Sequence, residues 1–269
     1  MEAALDLPDI GYFWAAILGL IQGLTEFLPV SSSGHLALAE HLGLGREAPP
    51  SLDVLLHLAT LAVVCRYFRR SILWYAQNDR KVVWFAAMAT LPTAIAGLAG
   101  KRHFEALRQS PTLICVGLLV TASALAAAEM RRQPSCQLRD LGWFAAFAIG
   151  LTQSLALAPG ISRSGLTLSG AMLCGAERSE AFRFSFIIAI PAILGATGLH
   201  ILESLRQGGV GGLTRGTGIG PLLLGMAAAA VSGHFALSLL ERLVAGGRLV
   251  WFAGYCCLAG LAGLLYFNL

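Results

Sequence analysis

The chain has 269 residues, of which 56% are hydrophobic and only 13% are charged, and its mean hydropathy is +0.70. Soluble domains carry about 25% charged residues. This composition excludes an ordinary soluble domain and predicts an all-α integral membrane protein. The net charge of +4 does not indicate nucleic-acid binding, because the Lys and Arg residues lie in short clusters between apolar runs. Membrane proteins use such clusters to set their orientation.

The first two apolar runs are too short to span a membrane, which takes about 20 apolar residues. They cover residues 10–25 and 34–44, with Pro29 and a serine-rich stretch between them. We expect a helix–loop–helix that enters the bilayer and returns on the same side. Such a re-entrant loop is tolerated only where it is buried in protein or lines a wet cavity. Three predicted spans follow, at residues 52–68, 82–99 and 111–128, joined by charged linkers at 69–81, 100–110 and 129–140.

The same order of elements recurs in the second half. Short runs at 141–158 and 165–175 form a second broken pair, and three further spans are predicted at 182–202, 216–240 and 249–269. A re-entrant pair does not cross the membrane, whereas three spans cross it an odd number of times, so the second half starts on the opposite face. The chain is therefore predicted to be a single membrane domain with an inverted-topology repeat. Repeat 1 covers about residues 10–129 and repeat 2 about 141–269, with about six transmembrane helices and two re-entrant pairs in all.

Two motifs mark the breaks in these helices, and the second follows the first by 131 positions. They read QGLTEFLPVSSSGH (residues 22–35) and QSLALAPGISRSG (residues 153–165). At this offset Gln22 matches Gln153, but Glu26 matches a leucine and Arg163 matches Ser32. One copy therefore carries the carboxylate and the other the guanidinium, which indicates a duplicated scaffold whose halves have taken on different chemistry.

Glu26 stands out because ionisable groups within a bilayer are costly and usually functional. It shares a helix face with Gln22, four residues earlier. A purely structural ion pair with Arg163 is the alternative. The serines that follow have two interpretations as well. They can cap helix N-termini, or they can mark an anion site, since a helix N-terminus binds anions and an adjacent arginine fits phosphate oxygens.

These motifs closely resemble those of the bacterial undecaprenyl pyrophosphate phosphatases of the BacA/UppP type. That family shows a first motif of the form [E/Q]GxTEFLPVSSxGH and a second of the form PGxSRSGxT, and the likeness in length and element order extends over essentially the whole chain. The resemblance implies removal of the terminal phosphate from undecaprenyl diphosphate, a prenyl diphosphate lipid, to give undecaprenyl phosphate. It also implies a divalent cation, Mg²⁺ or Ca²⁺, with Glu26 as a metal ligand. The essential residues that carry over are Glu26, Ser32, His35 and Arg163, and the implied substrate contacts are Gln22, Ser31, Ser33, Ser162, Ser164 and Thr167.

We expect the two loops to meet and to bring Glu26, His35 and Arg163 to a common pocket, but the attacking group stays open at this stage. His35 is a candidate nucleophile or general base, and Ser32 or a water molecule is the alternative. His57 lies near Asp53 and is a candidate supporting group. Because many members have an acid where this chain has Gln22, a metal site with two motif carboxylates is in doubt.

A second function class, a flippase or transporter of a lipid phosphate or small anion, would use the same broken helices. The histidine beside three serines favours hydrolysis, since transport needs no nucleophile. Fewer Lys and Arg residues are predicted on the face that carries the termini than on the opposite face. The positive-inside rule then places the site at the periplasmic face of the bacterial inner membrane. The sequence leaves the oligomeric state open, a homodimer included.

Overall fold

A computed structural model describes residues 11–42, 50–131, 136–208 and 218–268. Within these ranges helices are the only regular structure, apart from one isolated bridge between Cys136 and Ala176. The first half contains α1 (Tyr12–Phe27), α2 (Ser32–His41), α3 (Pro50–Asn78), α4 (Arg80–Arg108) and α5 (Pro111–Met130). The second half contains a 3₁₀ turn (Leu138–Asp140), α6 (Trp143–Leu155), α7 (Arg163–Leu173), α8 (Arg178–Gly208), α9 (Ile219–Ala245) and α10 (Leu249–Asn268). The all-helical prediction is confirmed, and the glycine-rich connection at 209–217 lies outside the described residues.

Five helices in the described part of the chain are long and apolar enough to cross a membrane: α4, α5, α8, α9 and α10. They correspond to five of the six predicted spans and make this a multi-pass membrane protein. The sixth predicted span, residues 52–68, forms the first part of the 29-residue helix α3. This helix carries Asp53, Arg66 and Arg69 among its apolar residues and falls outside the five.

Two of the charged linkers that were predicted between spans are not loops but continuations of helices. Helix α3 continues to Asn78 and α4 continues to Arg108, so the charged stretches 69–81 and 100–110 are mostly helical. Arg, Lys, Glu, Ala and Leu are good helix formers, so charge alone does not end a helix. The break before α5 comes where Ser110 caps its N-terminus and Pro111 occupies its first turn.

Helices from the two halves pack against each other. Helix α1 lies on α9, α6 lies on α4, α3 lies on α8, and α5 lies on α10. The first two contacts are close because of glycine: a Cβ on Gly19 would lie 2.1 Å from the Gly225 carbonyl oxygen, and one on Gly150 would lie 2.5 Å from the Ala89 carbonyl oxygen. Gly19 and Gly150 stand at the 131-residue offset, so the two halves use the same device. The inverted orientation of the halves stays a prediction.

An aromatic cluster supports the end of α1. Phe27 and Phe186 meet edge to face with ring centroids 5.7 Å apart, and Phe186 also contacts Phe182 at 5.1 Å and stacks on Phe68 at 5.8 Å. Phe27, Phe182 and Phe186 are almost completely buried. Because Phe27 directly follows Glu26, this packing fixes the helix turn that carries the carboxylate.

Candidate active site

The first loop ends α1 and starts α2 within four residues. Leu28 is extended (φ −64°, ψ 142°) as the residue before a proline must be, so α1 ends at Phe27. Ser31 then adopts a positive φ of 69°. Its Oγ accepts a hydrogen bond from the Gly34 N–H at 3.2 Å, which caps α2.

The second loop uses the same serine cap at the matching position, and its residue with a positive φ comes two residues before that cap. Gly160 has φ of 85°, which a residue with a side chain rarely adopts. Ser162 Oγ accepts a hydrogen bond from the Gly165 N–H at 3.2 Å, and helix α7 begins at Arg163. Ser31 and Ser162 are therefore both helix caps, as one interpretation of the serine motifs expected.

The two loops pack directly on each other. A Cβ on Gly34 would lie 2.8 Å from the Gly160 Cα atom, so the backbones are close enough to require glycine. Ser164 Oγ donates to the Leu28 carbonyl oxygen at 3.4 Å and lies 3.2 Å from Ser162 Oγ. The structure thus brings together two loops that the sequence only predicted to meet.

Glu26 is the centre of the contacts between the loops. Its side chain is only 6% exposed, and its Oε1 accepts a hydrogen bond from the Arg163 guanidinium. Its Oε2 accepts from Gln22 Nε2 at 3.2 Å and from Ser32 Oγ at 3.1 Å. His57 Nε2 lies 3.7 Å from the same oxygen. These partners on both oxygens hold the buried carboxylate in a fixed orientation.

A cavity of about 310 Å³ opens beside this carboxylate. Its polar lining comes from both loops and from helices α3, α4, α6 and α8. The polar side chains are those of Thr25, Glu26, Ser31, Ser32, Ser33, Asp53, His57, Thr93, Gln153, Ser162, Arg163, Thr197 and His200. The remaining lining residues are apolar, including Val54, Leu157, Ile161 and Ile193. This combination of polar and apolar lining residues fits a ligand with an anionic head and a lipid chain.

The structure places His35 away from this cavity, contrary to the expectation that its imidazole shares a pocket with Glu26 and Arg163. His35 Nδ1 is bonded to the Ser31 carbonyl oxygen at 2.8 Å, and Nε2 contacts the Tyr255 hydroxyl at 2.6 Å. The two rings also stack, with centroids 5.6 Å apart. His35 thus joins α2 to α10, and both of its ring nitrogens have partners. Its assignment as nucleophile or base stays a prediction without geometric support.

His57 is the imidazole that faces Glu26. Its Nδ1 lies 2.9 Å from the Asp53 carbonyl oxygen, which can only accept a hydrogen bond, so Nδ1 carries the proton in the neutral ring. The lone pair is then on Nε2, the atom nearer Glu26. The Asp53 carboxylate lies 3.7 Å from Nδ1. The sequence signal was the Asp53–His57 spacing of four residues, which puts both on one helix face.

The model of the family described as bacitracin resistance protein BacA matches residues 15–262. The chain belongs to the BacA family. The match includes both loops and all the cavity-lining residues named above. An undecaprenyl-diphosphatase of Rhodopirellula baltica is 41% identical over 251 residues, covering 93% of this chain and 95% of the relative. One from Geobacter sulfurreducens is 39% identical over 265 residues, covering 94% and 97%, and one from Carboxydothermus hydrogenoformans is 37% identical over 254 residues, covering 94% and 96%.

Three other predicted contact residues of this BacA-family chain stand behind the cavity. Gln22 is 1% exposed and holds Glu26 rather than lining the cavity. Thr167 is fully buried and its hydroxyl contacts the Arg163 carbonyl oxygen and Ser185 Oγ. Ser164 is likewise buried between the loops. Ser33, in contrast, is exposed and lines the cavity.

The residues present fit a hydrated divalent cation but do not form a cage of protein ligands. Among the described residues, no three His, Cys, Asp or Glu side chains are arranged to hold a metal ion. Mg²⁺ in phosphoryl-transfer sites is usually held by one or two carboxylates together with water and substrate phosphates. Two carboxylates, of Glu26 and Asp53, line the same cavity. Many family members have an acid where this chain has Gln22. Because Gln22 does not line the cavity, this difference removes no carboxylate from the cavity lining.

Proposed function

We propose that this chain hydrolyses undecaprenyl diphosphate to undecaprenyl phosphate and inorganic phosphate. The relatives named undecaprenyl-diphosphatase support this substrate. The observation that carries the proposal is the arrangement at one carboxylate in the lining of a partly apolar cavity. Glu26 contacts a guanidinium from the second loop and, at 3.1 Å, a serine hydroxyl from the first loop. Phosphoryl transfer depends mainly on positioning and charge stabilisation, which this arrangement supplies.

Arg163 would bind the terminal phosphate. Its side chain is 19% exposed and lines the cavity, and its Nη2 is paired with Glu26. It is the first residue of α7, so the free N–H groups of that helix end lie beside it. The planar fork of arginine matches two phosphate oxygens, and its charge opposes the negative charge that develops during transfer.

Ser32 would be the attacking group. Its hydroxyl already donates to Glu26 Oε2, which is the contact expected between a nucleophile and its base. The Ser32 oxygen forms a bond to the terminal phosphorus, and the bond from that phosphorus to the bridging oxygen breaks. The electron pair of the broken bond stays on the bridging oxygen of undecaprenyl phosphate. The serine proton moves to Glu26, whose pairing with Arg163 weakens when the arginine turns to the phosphate.

His57 would take up the proton that the attacking water loses in the following step. In the neutral ring Nε2 carries the lone pair and lies 3.7 Å from Glu26 Oε2, so the imidazole is placed to act as the base for water. Asp53 contacts the opposite nitrogen and holds the ring in one tautomer. This assigns to His57 the role that the sequence had suggested for His35.

A divalent cation, Mg²⁺ or Ca²⁺, is part of the proposal, with Glu26 and Asp53 as its protein ligands. When bound, such an ion neutralises charge on the diphosphate oxygens. The protein groups keep their own roles beside it: Arg163 orients the phosphate, and Ser32 and His57 handle the covalent step and the proton.

The prenyl chain would leave the cavity along its apolar walls, which include Val54, Leu157 and Ile193. A lipid substrate of this kind requires a membrane location. The distribution of Lys and Arg supports the bacterial inner membrane with the site open to the periplasm. All the groups named come from one chain, so the chemistry does not depend on a dimer.

Phosphate release by the purified protein in detergent tests the function. We expect inorganic phosphate from undecaprenyl diphosphate in the presence of Mg²⁺ or Ca²⁺, and none from Arg163→Ala. The same protein in vesicles that contain undecaprenyl phosphate tests the transporter alternative. Redistribution of the lipid between leaflets without any phosphate release from the diphosphate would overturn the proposal.

A further inference from the structure

Gln153 has a buried polar atom without a partner at the catalytic cavity. The residue is 1% exposed and lines the cavity. Its Nε2 donates to Thr93 Oγ1 at 3.1 Å, whereas no group among the described residues lies within hydrogen-bonding distance of its Oε1. Buried polar atoms nearly always have a partner, because an unpaired one costs about 1–3 kcal/mol. Within the described residues Gln22 Oε1 also lacks a partner, but of the two glutamines it is Gln153 that lines the active-site cavity, where a ligand can supply the missing donor.

The Gln153 side chain is held in place by Thr93, which also lines the cavity. Thr93 belongs to α4 and is 8% exposed, and its Oγ1 also lies 3.5 Å from Ser154 Oγ. Gln22, the residue that matches Gln153 in the first half, does not line the cavity and uses its amide to hold Glu26. The two equivalent glutamines have therefore taken different positions around one site.

The chemistry of the free atom limits what it can bind. A carbonyl oxygen accepts hydrogen bonds and does not donate them. Ionised phosphate oxygens are acceptors as well, so they gain nothing from Gln153 Oε1. A water molecule supplies the missing donor, and in other phosphoryl-transfer enzymes a glutamine orients the attacking water in this way.

We propose that Gln153 holds the water molecule that is consumed in the second step of the reaction. The water oxygen forms a bond to the phosphorus carried by Ser32, and the bond between that phosphorus and Ser32 Oγ breaks. The electron pair stays on Ser32 Oγ, which takes its proton back from Glu26, and the proton lost by the water goes to Nε2 of His57. The products are free inorganic phosphate and the original serine. Thr93 acts as a positioning residue for Gln153.

Because this inference rests on the proposed function, wild-type protein is measured first. Phosphate release and a phosphorylated Ser32 in wild-type protein establish the proposed function independently of Gln153. Gln153→Met keeps the size of the side chain and removes the acceptor. We expect its first turnover to stay fast, its phosphoenzyme to accumulate, and its kcat to fall by roughly 10²-fold, as for loss of a group that assists proton transfer. Its KM should not rise. Gln153→Glu keeps an acceptor oxygen, so its kcat should fall by less than that of Gln153→Met.

Methanol as a competing acceptor separates this role from a structural one. A group that orients water favours transfer to water, so Gln153→Met should raise the ratio of methyl phosphate to inorganic phosphate. Thr93→Val should shift the ratio in the same direction. Thr90→Val is the matched control, one turn earlier on α4. The Thr90 hydroxyl donates to the Ala86 carbonyl oxygen of the same helix at 2.8 Å, so this variant should leave the ratio unchanged.

Two results would overturn the proposal while leaving the proposed function intact. One is a normal kcat and methanol ratio in Gln153→Met. The other is a raised KM with an unchanged kcat, which would mean that the amide contacts the substrate rather than water. If Gln153→Met does not fold, the methanol ratios of Gln153→Glu and Thr93→Val decide, and unchanged ratios in both reject the role.

Discussion

Arg163 and Glu26 are 137 residues apart in the chain, yet their charged groups form one ion pair at the junction of two loops. Each residue sits in a loop-and-helix unit that recurs at the 131-residue offset, but each unit carries only one of the two charges. Neither half alone can therefore form the site. The pair also explains how two charges are retained in an apolar protein, since each neutralises the other.

The charges of this pair should be needed for turnover beyond their effect on folding. Glu26→Gln keeps the shape of the side chain but removes the charge that orients Arg163 and the acceptor for the Ser32 proton. We expect kcat for phosphate release to fall by at least about 10²-fold. Glu129→Gln is the matched control, because Glu129 pairs with Arg178 at 3.0 and 3.1 Å away from the cavity. That variant should lose thermal stability but keep its turnover, and normal turnover in Glu26→Gln would contradict the site.

Phosphoenzyme trapping identifies the attacking residue. If Ser32 attacks, rapid quenching should give a phosphoester that survives acid, and Ser32→Ala should abolish it together with phosphate release. Attack by His35 would instead give an acid-labile phosphoramidate. Ser123→Ala, which removes an exposed hydroxyl bonded only within α5, is the control and should behave as wild type.

The two histidines should respond differently to substitution. His57→Gln removes the lone pair that faces Glu26, so we expect kcat to fall by about 10²- to 10⁴-fold and its pH dependence to change. His35→Gln should have a smaller effect on kcat, and Tyr255→Phe should reproduce part of it, because the structure gives His35 a contact to Tyr255 and none to the cavity. Complete loss of activity in His35→Gln, together with normal activity in Tyr255→Phe, would contradict this assignment and indicate that His35 is the nucleophile or base.

The cation requirement should depend on Asp53. Chelation with EDTA should stop phosphate release, and added Mg²⁺ or Ca²⁺ should restore it. Asp53→Asn removes one of the two carboxylates that line the cavity, so it should raise the concentration of cation needed for half-maximal activity. Asp79→Asn, at the junction of α3 and α4 and outside this cavity, should leave that concentration unchanged. Full activity in EDTA would contradict the proposal.

Close packing of the second loop on α5 should make Gly160 sensitive to any side chain. A Cβ there would lie 2.0 Å from the Ile114 carbonyl oxygen, in addition to the strain of φ at 85°. Gly175 also has a positive φ, 106°, but a Cβ there meets nothing within 4 Å. Gly175→Ala should therefore cost only about 1–2 kcal/mol of stability. Gly160→Ala should lower the thermal unfolding temperature in detergent by clearly more, and equal effects would mean that the second loop is not tightly packed on α5.

Local features of the chain determined the protein class, the order of the helices and the positions of both breaks. Composition predicts a membrane protein, and Pro29 and the capping serines end and start helices through contacts within a few residues. Helices α2 and α7 begin at Ser32 and Arg163, within the serine motifs and two residues before the predicted runs that start at 34 and 165. Charge was a poor guide to loops, because α3 and α4 continue through their basic residues.

Only the tertiary structure decided which side chains share the cavity. His35 and His57 each bond the carbonyl oxygen four residues earlier through Nδ1, so their local settings are alike. They differ in what packs against Nε2, which is Tyr255 from a distant helix in one case and the Glu26 carboxylate in the other. The cavity position of Gln153 likewise follows from the packing of α6 on α4. Side-chain surroundings of this kind arise from contacts between remote segments, which a pattern along the chain does not contain.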